Sequence, residues 1–275
     1  MGDYANGAVW IVEGLLVFFI LFKIFSARRG RELFIRRIAG LASLDDAVGR
    51  ATEMGKPMLF APGIAPVDIV GLQAMAILYH IVRRAAKYGT RIITTAADPV
   101  IYTVAEEVTK DAYAVEGVPE QFNPEDVRFL TDRQFAWASA FVGTIYRENV
   151  AAIFYFGYFF AESLILSENG QMAGAIQIAG TPSTTQIPFF LASCDYTIIG
   201  DEYYAASAYL SREPTLMGSL VGQDWGKLMV IGIIATGAIV ATVVALTSGS
   251  HALQFLHDIA RVLQTGFFRF FGGGC

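Results

Sequence analysis

The sequence predicts an α/β domain with a mostly parallel sheet and flanking helices, inserted between two transmembrane helices and followed by a C-terminal amphipathic helix. Three observations lead to this prediction: two long apolar runs towards the ends of the chain, alternating short apolar and amphipathic segments between them, and a composition of 54% hydrophobic and 16% charged residues. An average soluble domain is roughly 25% charged. With a mean hydropathy of +0.47, the composition excludes a disordered or fibrous chain and favours a membrane protein with a water-soluble part.

The first apolar run, residues 8–25, is interrupted only by Glu13 and Lys23. Its length is about that needed to cross a hydrocarbon core. Because a signal peptide would begin with basic residues and end at a small-residue cleavage site, we expect an uncleaved anchor over residues 1–27. An ionisable group at membrane depth is costly, so Glu13 either takes part in pairing or ion passage or snorkels to the nearer interface.

A basic juxtamembrane segment, residues 28–43, follows this anchor. Five arginines lie within it: Arg28, Arg29, Arg31, Arg36 and Arg37. Since loops rich in basic residues stay on the cytoplasmic side, we expect a cytoplasmic middle domain and both termini outside. The same arginines form a stripe that anionic lipid would attract.

The second anchor covers residues 225–247, with Trp225 and Lys227 at its entrance as interfacial anchors. Small residues recur within it at four-residue spacing: Gly237, Ala241 and Ala245. This spacing lets helix backbones approach closely inside lipid, although small residues also occur in ordinary lipid-facing helices.

Residues 248–275 are expected to form an amphipathic interfacial helix and a glycine-rich tail. Apolar side chains recur at helical spacing over residues 250–271, a pattern typical of a helix that lies on a membrane or packs against a neighbour. Cys275 is the last residue and is either a free thiol or an intermolecular crosslink. With Cys194 as the other cysteine, no disulfide framework is expected.

The middle domain, residues 44–224, alternates apolar runs with amphipathic segments, as βαβ units do. The predicted strands cover residues 57–61, 91–95, 127–130, 151–156, 175–179 and 196–199. The predicted helices cover residues 44–54, 67–88, 99–116, 132–148, 158–167, 184–193 and 201–210. Helix boundaries are indicated by Asp98 before Pro99, by a capping box from Thr131 to Gln134, and by Gly89.

An aromatic stretch over residues 154–160 could be mistaken for part of a third span. We expect a buried strand and turn that lead into a buried helix, with a membrane-apposed segment as the alternative. Residues 38–224 contain 11 Lys and Arg against 21 Asp and Glu. This acidic balance, without a basic patch, argues against a nucleic-acid partner.

The spacings that common chemistries require are absent from the sequence, which has neither a P-loop nor the GxGxxG, HExxH or GxSxG pattern. The three histidines, His80, His251 and His257, are poorly spaced for a metal. Cys194 is expected to be a buried structural thiol. We therefore expect no metal and no cofactor, we assign no catalytic residue, and we favour a protein that is not an enzyme.

Two candidate ligand sites remain at the predicted carboxyl edge of the sheet. In the first, a glycine leaves a strand and hydroxyls open a helix, so the loop could hold an anion, or Ser183 could simply cap the helix. Its residues are Gly180, Thr181, Ser183, Thr184 and Thr185. In the second, Glu162 and Asp201 form a carboxylate pair for acid–base work, or they are exposed caps.

Four segments resemble an uncharacterised family of bacterial two-span membrane proteins, known as a domain of unknown function. They are residues 45–51 (DDAVGRA), 127–131 (VRFLT), 174–181 (GAIQIAGT) and 205–211 (AASAYLS). The resemblance covers roughly residues 40 to 235. It implies a bacterial inner-membrane setting and supplies neither an activity nor catalytic residues.

Together these observations predict an integral membrane protein that acts as a homo-oligomeric scaffold or as a structural subunit of a membrane complex. Its expected partners are membrane lipid, further copies of itself and other membrane subunits. The alternative is a membrane-anchored module that binds or senses a small anion or nucleotide. A carboxylate-dependent hydrolase is a third reading.

Overall fold

The computed structural model describes residues 7–29, 39–64, 67–211 and 213–247. The chain divides into two compact units. One consists of residues 1–35 and 213–275, and the other consists of residues 36–212. The predicted amphipathic helix over 250–271 and Cys275 lie outside the described residues.

The elements alternate along the chain as the sequence predicts. The helices are α1 (Gly7–Arg28), α2 (Ala39–Met54), α3 (Ile69–Tyr88), α4 (Pro99–Val115), α5 (Gln134–Glu148), α6 (Glu162–Met172), α7 (Ile187–Ser193), α8 (Glu202–Ser211) and α9 (Pro214–Thr247). The strands are β1 (Met58–Gly63), β2 (Ile92–Ala96), β3 (Val127–Phe129), β4 (Ala152–Tyr158), β5 (Ile176–Thr181) and β6 (Tyr196–Ile199). All six predicted strands and all seven predicted helices of the middle domain are present, with shifted boundaries.

The six strands form one sheet in the order β3-β2-β1-β4-β5-β6. Every pairing is parallel, so the predicted parallel sheet is confirmed. The strand order reverses between β1 and β4, which is the topological switch point of a doubly wound sheet. Ligands of such folds bind in the crevice beyond the carboxyl ends of the strands at this point.

Helices cover both faces of the sheet because successive strand side chains point to opposite sides. From β1, Met58 and Phe60 pack with α2, α3, α4 and α8 in one core. Leu59 and Ala61 pack with α5, α6 and α7 in the other. The predicted buried strand over the aromatic stretch is confirmed, since Phe154, Tyr155 and Phe156 of β4 are 0% exposed.

Two of the three helix-boundary predictions are confirmed. The Asp98 side chain accepts hydrogen bonds from the backbone N–H groups of Val100 and Ile101, and Gly89 ends α3 in the left-handed conformation. The capping box is wrong. Helix α5 begins at Gln134, with Arg133 rather than Thr131 as its N-cap residue. Thr131 Oγ1 accepts a hydrogen bond from the N–H of Arg133. The Gln134 amide donates to Glu162 instead of reaching back to Thr131.

The unit of residues 36–212 is called the α/β unit below, and the unit that contains α1 and α9 is called the helical unit. In the helical unit, α1 and α9 pack together. Among the described residues, one helix is long and apolar enough to cross a membrane, the stretch Pro214–Val243 of α9. The sequence predicted two such helices. Its expectation for α9 is supported by length and composition, and its expectation that α1 also spans a membrane remains a prediction.

Candidate functional site

The loops that leave β1 and β4 are in direct backbone contact at the switch point. A Cβ atom on Gly63 would overlap the carbonyl oxygen of Tyr158, and one on Gly157 would overlap the carbonyl oxygen of Pro62. Both glycines have positive φ, 81° and 150°, a conformation that side chains disfavour. The Ile64 N–H also donates to the Tyr158 carbonyl at 3.0 Å. The ends of β1 and β4 therefore stay in direct backbone contact at the switch point.

The helix N-termini beside this contact are capped by the chain's own carboxylates. Asp68 accepts from the N–H of Gly71 at 2.8 Å at the start of α3. Asp98 performs the same role for α4. A helix N-terminus attracts anions through its free N–H groups and its dipole. Here one N–H group of α3 and two of α4 already bind a carboxylate, whose negative charge opposes a phosphate at these two ends.

Glu162, at the start of α6, is fully buried. Its Oε1 accepts from the Phe160 N–H at 2.9 Å, and its Oε2 accepts from the Gln134 amide at 2.6 Å. Asp201 is exposed and follows β6, and β5 lies between β4 and β6 in the sheet. Glu162 thus holds the β4–α6 turn against α5, and the geometry gives the proposed carboxylate pair no support.

The predicted anion loop makes hydrogen bonds within itself. Thr181 is fully buried, and its Oγ1 accepts from the Ser183 N–H at 3.2 Å. The hydroxyls of Ser183 and Thr185 lie 3.1 Å apart. Gly180, for its part, packs against the Phe156 ring. Helix α7 has Gln186 as its N-cap residue, so the capping role predicted for Ser183 is wrong.

Thr184, the remaining hydroxyl of this loop, is exposed. The Gln186 side chain accepts a hydrogen bond from the buried Ser163 at 2.8 Å. This bond holds the loop to the start of α6. The loop is therefore fastened to its neighbour by protein contacts, and anion binding there stays a prediction.

The edge instead displays large apolar side chains at the starts of successive helices. Ile69 is 69% exposed, Val100 55%, Phe135 56% and Phe160 50%. They follow β1, β2, β3 and β4, which are four neighbours in the sheet, and adjacent strands are about 4.8 Å apart. Apolar groups that recur in this way along one edge indicate a surface for contact with another apolar surface.

Behind the edge, buried polar side chains bind one another. The Tyr155 hydroxyl donates to Gln177 at 2.9 Å, and the Gln177 amide donates to the carbonyls of Ser167 and Ser193 at 3.0 Å. Burial raises the pKa of Tyr155 well above its usual value. Cys194 is partly exposed rather than buried as predicted. Burial raises the pKa of its thiol, as does the charge of Asp195, so it is a poor nucleophile.

A groove of about 850 Å³ lies on the outer face of α3 and α4, at the end of α8. Its lining includes the apolar side chains of Leu72, Met75 and Val104, and it includes His80. Burial lowers the pKa of His80, against the opposing effect of Asp45. The Nε2 atom of His80 lies 3.8 Å from Asp45 Oδ1.

In the other unit, α1 and α9 are antiparallel and nearly touch along a glycine stripe. The stripe is Gly218, Gly222 and Gly226. A Cβ on Gly218 would lie 2.6 Å from the Cα of Ile24, and one on Gly222 would lie 2.7 Å from the Cα of Ile20. Trp225 stacks on Phe19 with ring centroids 6.3 Å apart, and Lys23 lies 4.5 Å from the Trp225 ring.

This register leaves the two apolar runs at different heights. Each step of four residues along α9 matches a step of four back along α1, so the apolar residues 8–25 of α1 lie level with about residues 217–234 of α9. The apolar run of α9 is residues 228–246. The offset is roughly 11 residues, or about 17 Å along the helix axis.

Because of this offset, no single apolar slab contains both runs without polar groups. The charged side chains of Asp224 and Lys227 lie level with about residues 18 and 15 of α1. A charged side chain at the bilayer centre costs about 2.5–3.5 kcal/mol, whereas a bulky apolar side chain left in water forgoes about 1.5–3 kcal/mol of burial. If both runs lie in one bilayer, an isolated pair of helices leaves either charged side chains in lipid or apolar side chains in water.

The polar and the aromatic side chains occupy opposite sides of the helix pair. Asp224 is exposed two residues from both Gly222 and Gly226, so it points about 200° away from the contact with α1. Phe18 and Phe22, 59% and 53% exposed, are likewise two residues from Ile20 and point away from α9. One side of the pair is polar and the other aromatic at the same height.

Of the membrane-packing residues expected from the sequence, Glu13 and Ala241 are exposed and Gly237 is partly exposed. The side chain of Ala245 lies outside the described part of α9. The glycine stripe was not predicted, because it precedes the apolar run of α9 in which close helix packing was expected. Its four-residue spacing is nevertheless visible in the sequence. These glycines are where α1 and α9 actually meet.

Within the described residues, no group of three or more His, Cys, Asp and Glu side chains could hold a metal ion.

Comparisons with known proteins identify the family of the chain. No curated protein and no solved structure matches the chain. A family model described as a domain of unknown function, DUF6754, matches residues 3–252. This match covers most of the chain and agrees with the resemblance to a domain of unknown function, so the protein belongs to the DUF6754 family.

Proposed function

We propose that the protein is a membrane-anchored scaffold, a subunit that assembles with further copies of itself or with other membrane subunits through its α/β unit. The observation that carries this proposal is the state of the sheet's carboxyl edge. At the switch point, where a doubly wound fold would bind a ligand, the backbones at Gly63 and Gly157 each contact the facing strand directly.

The composition of this edge favours a protein contact over a small ligand. Asp68 and Asp98 occupy the N–H groups that would bind phosphate, and both oxygens of Glu162 already accept hydrogen bonds. Among the apolar side chains that face outward there, Ile69 and Phe135 are the most exposed. Aromatic and aliphatic side chains of this kind form the centres of protein interfaces.

The setting we propose is the bacterial inner membrane, with a cytoplasmic α/β unit and both termini outside. Its support is the length and composition of α9, the apolar run of α1, and the five arginines that follow α1. A C-terminal amphipathic helix over residues 250–271 would lie at the membrane surface.

The decisive measurement is the mass of the full-length particle after extraction from native membranes in mild detergent. We expect a particle of several copies, or one that contains other subunits. A strictly monomeric particle would contradict the proposal.

A pair of variants separates the α/β edge from the rest of the molecule. Phe135→Asp with Phe160→Asp should lower the particle mass, since both side chains lie at the carboxyl edge. The control is Met172→Asp, which changes a side chain that is 71% exposed at the opposite end of α6 and should leave the mass unchanged. An equal effect of both changes would show that the edge has no special role.

Small-ligand binding at residues 180–186 remains the alternative. It would be supported if phosphorylated or carboxylated metabolites raised the melting temperature and if Ser183→Ala with Thr184→Ala removed the shift. The internal hydrogen bonds of that loop make the scaffold the better supported function.

A further inference from the structure

We propose that strand β6 pairs with β6 of a second copy of this chain, antiparallel and across a two-fold axis at Thr197, so that two sheets join into one. The inference rests on the proposed function, in that it requires a particle of several copies. It goes further, because it names a second contact surface, apart from the carboxyl edge, and the backbone groups that meet there.

The first step is the free side of β6. This strand is the last in the sheet, so among the described residues its backbone pairs with β5 alone. The N–H of Asp195 donates to the carbonyl of Gln177 on the β5 side. Because alternate residues of a strand direct their N–H and C=O groups to the same side, those of Tyr196 and Ile198 point away from β5. Unpaired groups of this kind are a template for another strand.

The second step compares β6 with β3, the strand at the opposite end of the sheet. Strand β3 has three residues, and its central Arg128 donates to the Glu125 carbonyl and pairs with Glu148. A charged residue on a very short strand protects a sheet edge from pairing. Strand β6 has four residues, none of them charged and none of them proline. Its Tyr196 and Ile199 side chains are 46% and 45% exposed, so this edge lacks the protection that β3 has.

The third step identifies the partner as a second copy. An antiparallel pair centred on Thr197 places Tyr196 of each copy opposite Ile198 of the other, and these two residues then exchange both of their N–H···O bonds. The groups that β5 leaves unpaired are therefore the ones that meet. Asp195 lies opposite Ile199 of the other copy, so the two Asp195 carboxylates stay apart. The edge is thus complementary to itself, as a two-fold contact requires.

The orientation of the axis decides where the pairing is measured. The two-fold axis of an antiparallel strand pair is perpendicular to the sheet. Copies anchored in one membrane share an orientation, so the pairing also requires this axis to lie along the membrane normal. The measurement is therefore made on the full-length protein in native membranes.

The test compares cysteine variants on the two outer strands of the sheet. Both are made in full-length protein that carries Cys194→Ala and Cys275→Ser, and both are oxidised in native membranes. The Cα atoms of a non-hydrogen-bonded antiparallel pair lie about 4.5 Å apart, a distance that a disulfide spans. Thr197→Cys should therefore give covalent dimers in a yield roughly fivefold or more above that of Phe129→Cys, which replaces a side chain of β3 that is 43% exposed. Equal yields, a higher yield for Phe129→Cys, or no dimer from either variant would overturn the inference.

Particle mass separates this inference from the proposed function. If the particle is monomeric, both fail. If it contains several copies and Thr197→Cys does not crosslink preferentially, only the inference fails. If Thr197→Cys crosslinks to a different polypeptide, the β6 edge binds another subunit and the assignment to a second copy is wrong.

A charge placed on the edge provides a second measurement. In the antiparallel pair, residue 199 faces Asp195 of the other copy. Ile199→Asp should therefore lower the dimer yield of Thr197→Cys several-fold, whereas Ile199→Lys, which brings opposite charges together, should retain it. The α/β unit should melt at the same temperature in both proteins, which shows that they are folded. Equal losses of dimer from the two substitutions would contradict the antiparallel pairing.

Discussion

The two units of the chain place their aromatic residues in opposite ways. In the α/β unit, Phe60, Tyr155 and Phe156 are fully buried between helices and sheet. In the helical unit, Phe18 and Phe22 are more than half exposed. A sheet covered on both faces provides the side chains of its strands and the inward faces of its helices with partners from the same chain. Two helices can cover only one side of each other, so the rest of their surface depends on lipid or on other copies.

Because of this difference, a substitution in one unit should leave the stability of the other unit unchanged. Changes within the α/β unit should lower its own free energy of unfolding. Changes within the helical pair should alter packing and assembly while the α/β unit keeps its stability. Substitutions confined to one unit can test that separation.

The largest effect is expected at the contact between β1 and β4. In Gly157→Ala, the new Cβ would overlap the Pro62 carbonyl, and φ is 150°, so the strand ends must separate. We expect a loss of about 3 kcal/mol or more in the free energy of unfolding, measured by chemical denaturation.

The control for this change is Gly143→Ala in α5, where a Cβ has open space. Alanine is favoured over glycine in a helix, so stability should rise by about 0.5–1 kcal/mol. If the two substitutions lowered stability equally, the β1–β4 contact would not be a special position.

An ion-pair network at the other end of the sheet should give the next largest effect. Arg91 donates to Asp126 at 2.5 Å and to Glu148 at 2.9 Å. Arg91→Met leaves Asp126, which is 7% exposed, without its main partner. We expect a loss of about 2 kcal/mol in the unfolding free energy.

Lys110→Met is the matched control for Arg91→Met, because Lys110 is 62% exposed and its pair with Glu107 spans 3.9 Å. Exposed pairs of this kind contribute little, so the expected loss is below about 0.5 kcal/mol. Similar losses for both variants would contradict a structural role for the Arg91 network.

The comparison between units is tested most directly in the glycine stripe. Gly222→Val would push its side chain into the backbone of Ile20, whereas Gly232→Val, on the same helix, meets open space. The side-chain ends of Arg28 and Thr215 lie 3.3 Å apart, so cysteines at these two positions, joined by a bifunctional maleimide about as long as an arginine side chain, report the closed pair.

We expect Gly222→Val to lower the yield of that crosslink several-fold and Gly232→Val to leave it unchanged. Neither should change the melting temperature of the α/β unit. A drop in that temperature with Gly222→Val would show that the two units are not energetically separate.

The smallest effect concerns pH. Burial lowers the pKa of His80 in the folded protein, with Asp45 opposing and Arg84 and Arg83 supporting the shift. The unfolded chain therefore takes up a proton at a higher pH, near 6.5, than the folded chain does. The stability contributed by neutral His80 is present above pH 6.5 and is lost as the pH falls through its folded pKa.

We expect a loss below about 1 kcal/mol between pH 7 and pH 5, which His80→Gln should flatten. Hydrogen bonds from Arg128 lower the pKa of Glu148, so the contribution of that carboxylate is lost only below its ordinary pKa of about 4.5. An unaltered slope in His80→Gln would assign the pH dependence to other groups.

Much of the α/β unit follows from local sequence signals. Six short apolar runs and the amphipathic segments between them predicted every strand and helix of this unit, since burial of one helix face or strand needs that periodicity. Asp98 before Pro99 marked a helix start because its side chain accepts N–H groups two and three residues later. The capping box predicted from Thr131 to Gln134 was wrong, because the Gln134 side chain bonds to Glu162, 28 residues away.

Candidate sites depend on tertiary structure more than single helices and strands do. Glu162 and Asp201 were both placed correctly at strand ends, but their burial and separation depend on the order of β4, β5 and β6 in the sheet. Helix offsets are equally non-local. The sequence shows two apolar runs, yet only the packing at Gly222 and Gly226 reveals that they are out of step.

By itself, the sequence determined the alternation of elements, the parallel α/β class and the apolar character of α9, because these depend on residue type and on spacings of two to four residues. The tertiary structure was needed to show that β1 and β4 are in backbone contact at Gly63 and Gly157. It was also needed to show that Asp224 lies at about the height of Phe18 of α1. Both depend on which backbones come within a few ångströms, and that is fixed by packing between segments far apart in the chain.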